Sequence, residues 1–130
     1  MNTILLVDDS RVTRELMKVY LIAKDVELVD AADGVEALAR VRERRPDLVL
    51  ADIRMPRLDG PGLCEAMRSD PALRSIPVLI LTSNRDAESA KRCREAGARE
   101  VLLKPIQPKP LLQAVRRHLP SAVPDIPSRS

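Results

Sequence analysis

Ile4-Leu5-Leu6-Val7-Asp8-Asp9, near the start of the chain, is four apolar residues in a row stopped by two carboxylates. The apolar run is continuous rather than alternating. That is the mark of a strand covered on both faces, as in a parallel sheet with helices on either side. Four more short apolar runs follow at intervals, over residues 26–29, 48–53, 78–81 and 101–103. The stretches between them carry helical spacing: Val12, Leu16, Val19 and Ile22; Val35, Leu38 and Val41; Leu63 and Met67; and finally Leu111, Leu112, Val115 and Leu119. A further helix is predicted near residues 86–96. Its inward candidates, Ala87, Ala90, Cys93 and Ala96, are all small, so it buries little apolar area and is the least firmly anchored.

Punctuation supports this division. Asp33-Gly34-Val35-Glu36 reads as a capping box opening the second helix, which Pro46 closes. Gly97 ends the fourth helix, and Pro108 and Pro110 suit the first turn of the last. Strand followed by helix, five times over, predicts an α/β domain with a doubly wound five-stranded parallel sheet and right-handed crossovers. In such folds functional residues collect at the carboxyl ends of the strands, in the crevice where strand order reverses.

The composition narrows the function classes. With 130 residues, 45% of them hydrophobic, the chain has room for one domain with a proper core. One Tyr and no Phe or Trp leave that core to Leu, Val, Ile, Ala and Met. No apolar run approaches the length needed to span a bilayer, so membrane insertion is not expected. Nor do the first residues carry the basic region of a signal peptide, and a cytoplasmic location is expected. Cys64 and Cys93, 29 residues apart with no CxxC spacing, suggest two inert thiols rather than a metal knuckle or a disulfide. The net charge of +3 is uneven: residues 1–60 hold ten Lys and Arg against twelve acids, residues 61–130 twelve against seven. Without an aromatic platform for bases, a solvated basic surface is the better reading, and direct nucleic-acid binding is not expected.

The polar residues that end the runs carry the chemistry. Asp8 and Asp9 follow the first, Asp52 lies at the end of the third, Thr82 follows the fourth and Lys104 the fifth. A fold that converges these loops clusters three carboxylates, which repel one another and raise their own pKa values. A hard divalent cation resolves the conflict, and Mg²⁺ suits a partial oxygen cage that leaves room for water and phosphate. Three acids, a hydroxyl and an ammonium describe a phosphoryl-transfer site.

On Asp8-Asp9, Asp33-Gly34, Asp52 with Met55-Pro56, Asp59-Gly60, Thr82, Gly97-Ala98 and Lys104-Pro105, the chain resembles a response-regulator receiver domain of two-component signalling, of the CheY-like chemotaxis type in size. The resemblance implies a flavodoxin-like fold with strand order 2-1-3-4-5 over residues 1–119. Residues 120–130 are then a flexible tail or linker stub. It implies that Asp52 accepts a phosphoryl group from a phosphohistidine on a sensor histidine kinase or histidine phosphotransfer protein. It further implies Mg²⁺ held by Asp9 and Asp52, by Asp8 partly through water, and by the backbone carbonyl of Arg54. Lys104 then pairs with the carboxylate and later the phosphoryl group, Thr82 swings to a phosphoryl oxygen, and the Lys104-Pro105 bond is cis. A downstream partner is expected on the face of the fourth helix, fifth strand and fifth helix. The single His118, near the end of the last helix, reads as a surface residue, so the phosphoryl donor must come from elsewhere.

Three features depart from the family pattern. Val101 stands where the family usually places a switching aromatic, and Tyr20 in the first helix cannot substitute. Signal is then expected to pass through Thr82 and the lightly packed fourth helix. Arg54, two residues past Asp52, is either a solvent-facing cation or a contact to the phosphoryl group. Lys91, Arg92, Arg94, Arg116 and Arg117 make the expected output face basic, which suits an acidic partner. Alternative readings are the receiver part of a larger regulator and an adaptor independent of phosphorylation. A phosphatase of the haloacid-dehalogenase type is disfavoured, because Arg54 occupies the place of its general acid. The chain is therefore expected to be a signalling protein rather than an enzyme.

Overall fold

The computed structural model describes residues 2–22 and 26–119. Strands β1 (Asn2–Val7), β2 (Val26–Ala31), β3 (Leu48–Asp52), β4 (Val78–Thr82) and β5 (Glu100–Leu103) alternate with helices α1 (Arg11–Leu21), α2 (Gly34–Glu43), α3 (Gly60–Ser69), α4 (Ala87–Glu95) and α5 (Pro108–His118). A short 3₁₀ turn, Asn84–Asp86, leads into α4. All strand pairings are parallel, in the order β2-β1-β3-β4-β5, which is the doubly wound flavodoxin-like sheet. The expected tail at 120–130 lies outside the described residues.

Alternate side chains of the central strands feed two cores. Ile4, Leu6, Leu48, Leu50, Leu79 and Leu81 point to one side, where Met17 and Leu21 of α1 and Leu111, Ala114 and Val115 of α5 cover them. Leu5, Val7, Val49, Ala51, Val78 and Ile80 point to the other, under α2, α3 and α4. Burial of each such aliphatic side chain contributes about 1.5–3 kcal/mol before chain entropy is counted.

Local chemistry starts the helices. Ser10 Oγ accepts from the Thr13 amide at 3.2 Å, Asp33 Oδ1 from Glu36 at 2.8 Å, and Asp59 Oδ1 from Gly62 at 2.9 Å. In the return bond of the capping box Glu36 Oε1 accepts from the Ala32 amide at 2.7 Å, one residue before the cap. Gly97 ends α4 at φ +105°, a backbone conformation that favours glycine. Gly34 is required by close approach, since a Cβ there would lie 2.2 Å from the Leu58 carbonyl oxygen.

Two inward-face expectations are corrected. On α1 the residues with helical spacing are exposed: Val12 at 78%, Val19 at 68%, Ile22 at 73% and Leu16 at 40%. Met17 and Leu21 are the buried ones, with Tyr20 partly buried beside them. The rotation is set by polar ties, as Arg14 Nε meets Asp30 of β2 at 2.9 Å, Lys18 meets the same carboxylate at 2.7 Å, and Arg14 also donates to the Asp8 carbonyl at 2.5 Å. On α4, Ala90, Cys93 and Ala96 are buried, but Ala87 is exposed because Asp86 takes the inward position at the helix entry.

Candidate functional site

Register places the site. Val7 of β1 lies opposite Ala51 of β3, so the next residue on each strand brings Asp8 beside Asp52. Asp52 in turn sits opposite Leu81 of β4, and Thr82 opposite Leu103 of β5, which sets Thr82 and Lys104 at the same edge of the sheet. The Lys104 amide donates to the Thr82 carbonyl at 2.7 Å and fixes the start of the last loop. The Lys104-Pro105 peptide bond is cis.

Carboxylate oxygens of Asp8, Asp9 and Asp52 all lie within 4.8 Å of one another. Asp8 and Asp52 are buried and Asp9 is exposed, so the cluster opens on one side. Asp8 Oδ1 accepts from the Ser10 amide at 2.8 Å, while Oδ2 is buried without a hydrogen-bond partner. Burial, with a further push from the Asp52 charge, raises the Asp8 carboxyl to about 6. Lys104 Nζ forms an ion pair with Asp52 Oδ1, yet that oxygen makes no hydrogen bond of ordinary geometry. The donor set is hard, anionic and incompletely satisfied, which fits a small divalent cation.

Beside the acids is a cavity of about 240 Å³ whose lining includes Asp52, Arg54, Ser83, Arg85, Asp86 and Lys104. Thr82 is buried, and its hydroxyl donates to the Ser83 carbonyl at 3.2 Å. Arg54 does not point at Asp52: its Nε donates to Asp86 Oδ1 at 2.7 Å. That hydrogen bond and ion pair hold the Asp86 carboxyl below its ordinary value. Val101 is half-buried against the core under α4. His118 is tied to Glu100 at 3.0 Å rather than free on the surface, and Arg117 grips the same carboxylate at 2.6 and 2.7 Å.

Sequence reasoning missed Asp86 and Arg57. Arg57 stands at φ +67° in the β3–α3 loop and holds Asp33 at 2.9 and 3.1 Å, joining that loop to the start of α2. The adjacent backbone bond of Glu36 and this guanidinium keep the Asp33 carboxyl low. No local sequence signal marks either pair, since the partners are 24 and 32 residues apart.

Comparison with known proteins agrees with this geometry. The family model of the response regulator receiver domain matches residues 4–116. Protein PilG of Pseudomonas aeruginosa is 32% identical over 121 residues, 93% of this chain and 90% of PilG. The DNA-binding response regulator MtrA of Mycobacterium tuberculosis is 35% identical over 116 residues, but the chain spans only 50% of MtrA's length. Among solved structures, the receiver domain of sensor histidine kinase PA1611 from Pseudomonas aeruginosa superimposes with a TM-score of 0.82 at 29% identity, covering 92% of this chain and 98% of that one. That structure has a magnesium ion coordinated in its active-site cleft. Among the described residues no helix is long and apolar enough to cross a membrane. An acidic cleft at the strand ends, a sheet wound in this order and a family match across most of the chain lead to one assignment: the chain belongs to the response regulator receiver domain family of two-component signalling, a signalling family rather than a class of enzymes.

Proposed function

We propose that the protein is a cytoplasmic phosphoacceptor in which Asp52 receives a phosphoryl group from a phosphohistidine of a sensor histidine kinase or histidine phosphotransfer protein. The observation that carries this reading is the meeting of Asp8, Asp9 and Asp52 within 4.8 Å, with Lys104 paired to Asp52. In the transfer, an Asp52 carboxylate oxygen bonds to phosphorus as the P–N bond of the phosphoimidazole breaks, and the leaving imidazole takes a proton from solvent. Asp9, Asp52 and the backbone carbonyl of Arg54 would hold Mg²⁺, with Asp8 supporting the ion partly through water. When bound, the ion neutralises charge on the acids and on the transferring phosphoryl oxygens. Lys104 keeps its charge at the carboxylate before transfer and at the phosphoryl group after it. Thr82 must leave the Ser83 carbonyl to offer its hydroxyl to the same group.

Output follows by population shift, with a protein partner binding the phosphorylated arrangement on the α4–β5–α5 face. That face offers exposed Leu103 beside a cleft of about 160 Å³ lined by Leu102, Ile106, Pro110 and Leu111, and the exposed cations Lys91, Arg92 and Arg94. An apolar cleft beside β5 and separate exposed cations on α4 suit a partner with an apolar anchor and acidic residues. A second reading, the receiver part of a longer regulator, is favoured by one observation, that the chain matches only 50% of MtrA's length.

Intact mass after incubation with acetyl phosphate and Mg²⁺ tests the central claim. One phosphoryl group is expected on the wild type and none on Asp52→Asn. No addition to either protein overturns the phosphoacceptor reading and favours an adaptor independent of phosphorylation.

A further inference from the structure

The Arg54 guanidinium and the Asp86 carboxylate join the β3–α3 loop, just past Asp52, to the turn that leads into α4. Arg54 Nε and one terminal nitrogen both reach Asp86 Oδ1, at 2.7 and 2.6 Å. The other Asp86 oxygen accepts from Ser83 Oγ at 3.2 Å, and the whole residue is buried at the entry to α4. This helix has little else at that end. It has no side-chain cap bond, and inside it presents only Ala90, Cys93 and Ala96. By contrast, the Arg54 side chain is 73% exposed and lines the same cavity as Asp52 and Lys104, so its charged head can turn toward the phosphoacceptor without unpacking anything.

We infer that the Arg54–Asp86 pair is a strap across the mouth of the site, opened when Asp52 carries a phosphoryl group: Arg54 leaves Asp86 for the phosphoryl oxygens and releases the amino end of α4. The inference rests on Asp52 being the phosphoacceptor. The competition is between one carboxylate charge and a phosphoryl group of nearly two charges with several strong acceptor oxygens, which match the guanidinium fork better. Arg54 is thus a positioning residue for α4 in the resting protein and a phosphoryl ligand in the charged one. The exchange supplies a link between phosphorylation and helix movement that Val101, with neither ring nor hydroxyl, does not offer. It also bears on the lifetime of the phosphoryl group, which ends when water attacks phosphorus, the Asp52 oxygen–phosphorus bond breaks, and inorganic phosphate leaves a free carboxylate. A guanidinium on the phosphoryl oxygens occupies part of the path of that water.

Hydrogen–deuterium exchange of residues 84–97 in the full chain, paired with the decay of phosphorylated protein by intact mass, tests both roles. Without phosphodonor, Arg54→Ala and Asp86→Asn each exchange faster than wild type, reaching the level that wild type reaches only with acetyl phosphate and Mg²⁺. The Arg54 backbone carbonyl survives in Arg54→Ala, so metal binding through it is retained. Phosphoryl lifetime then separates the two variants: several-fold shorter in Arg54→Ala, but unchanged or longer in Asp86→Asn, where Arg54 is already free. Equal lifetime changes in the two variants overturn the ligand role. Exchange in 84–97 that is the same in phosphorylated and resting wild type overturns the strap, while failure of the wild type to take up phosphoryl at all is a failure of the Asp52 reading instead.

Discussion

The two faces of the sheet are built from different side chains. Toward α1 and α5 the three inner strands send six residues that are all Leu or Ile, met by Met17, Leu21, Leu111 and Val115. Toward α2, α3 and α4 the same strands send three Val, one Ala, one Leu and one Ile, and the α4 contribution is Ala90, Cys93 and Ala96. Close-packed long side chains interlock and fix a helix in one place, whereas small ones bury less area and resist sliding less. Polar ties compensate on the α4 side, among them Arg54 to Asp86 and Arg68 to the Glu95 carbonyl at 2.9 Å. Long aliphatic side chains carry one face, with Arg14 and Lys18 only orienting α1 on it, whereas on the other face ion pairs and polar ties make up for the small side chains of α4.

The largest expected effect tests that asymmetry directly. Leu50→Ala, on the α1–α5 face with no solvent exposure, is expected to cost about 2–5 kcal/mol in urea unfolding, the cost of lost transfer energy plus a cavity. Cys93→Ala, equally buried under α4, removes one sulfur atom and is expected to cost only about 1 kcal/mol. Comparable losses for the two would mean that α4 is anchored as firmly as the opposite face.

Next comes a substitution expected to stabilise. Asp8 stays charged at neutral pH although its carboxyl is pushed up to about 6 by burial and by Asp52. A raised acid pKa means the folded state holds the proton more tightly than the unfolded one. The penalty is therefore full above about pH 6 and is relieved as the pH falls toward the ordinary value of 3.8. Removing the charge with Asp8→Asn is expected to raise stability at pH 7.5, without divalent cations, by roughly 2–3 kcal/mol. Added Mg²⁺ should raise the unfolding midpoint of the wild type more than that of the variant. A variant less stable than wild type without cations would show that the acidic cluster carries no stored repulsion.

Much of this arrangement was legible in the sequence because it is encoded by short-range signals. Continuous apolar runs stopped by Asp8, Asp52, Thr82 and Lys104 located the strands and the acidic edge together, and a parallel winding leaves few ways to assemble them. What failed was the rotation of α1. Its sequence carries two apolar stripes, Val12-Leu16-Val19-Ile22 and Met17-Leu21, and spacing alone favours the longer one. The choice between them is made by Asp30 on β2, which captures Arg14 and Lys18 and so turns the shorter stripe inward. Long-range pairing likewise decided Arg54: two residues past Asp52, it read as either a solvent-facing cation or a phosphoryl contact, while its partner Asp86 lies 32 residues away.

The smallest expected effect concerns the α5 side, where packing is predicted to dominate over charge. Glu100 on β5 accepts both Arg117 nitrogens and pairs with His118, and the Arg117 bonds above all hold its carboxyl below the ordinary glutamate value of 4.5. A lowered acid pKa contributes stability that is complete above pH 4.5 and is lost as the pH falls through the folded-state value beneath it. Because Arg117 is 56% exposed, solvent screens the pair, and its worth is expected to stay below about 1 kcal/mol. Unfolding midpoints of wild type and Glu100→Gln should therefore differ slightly at pH 6 and converge as the pH falls well below 4.5. A gap of several kcal/mol at pH 6 would make this ion pair a principal anchor of α5, and the contrast between a packed face and a charge-tied face would no longer hold. If the gap stays small, α5 is held by the packing of Leu111, Ala114 and Val115 rather than by its ion pairs.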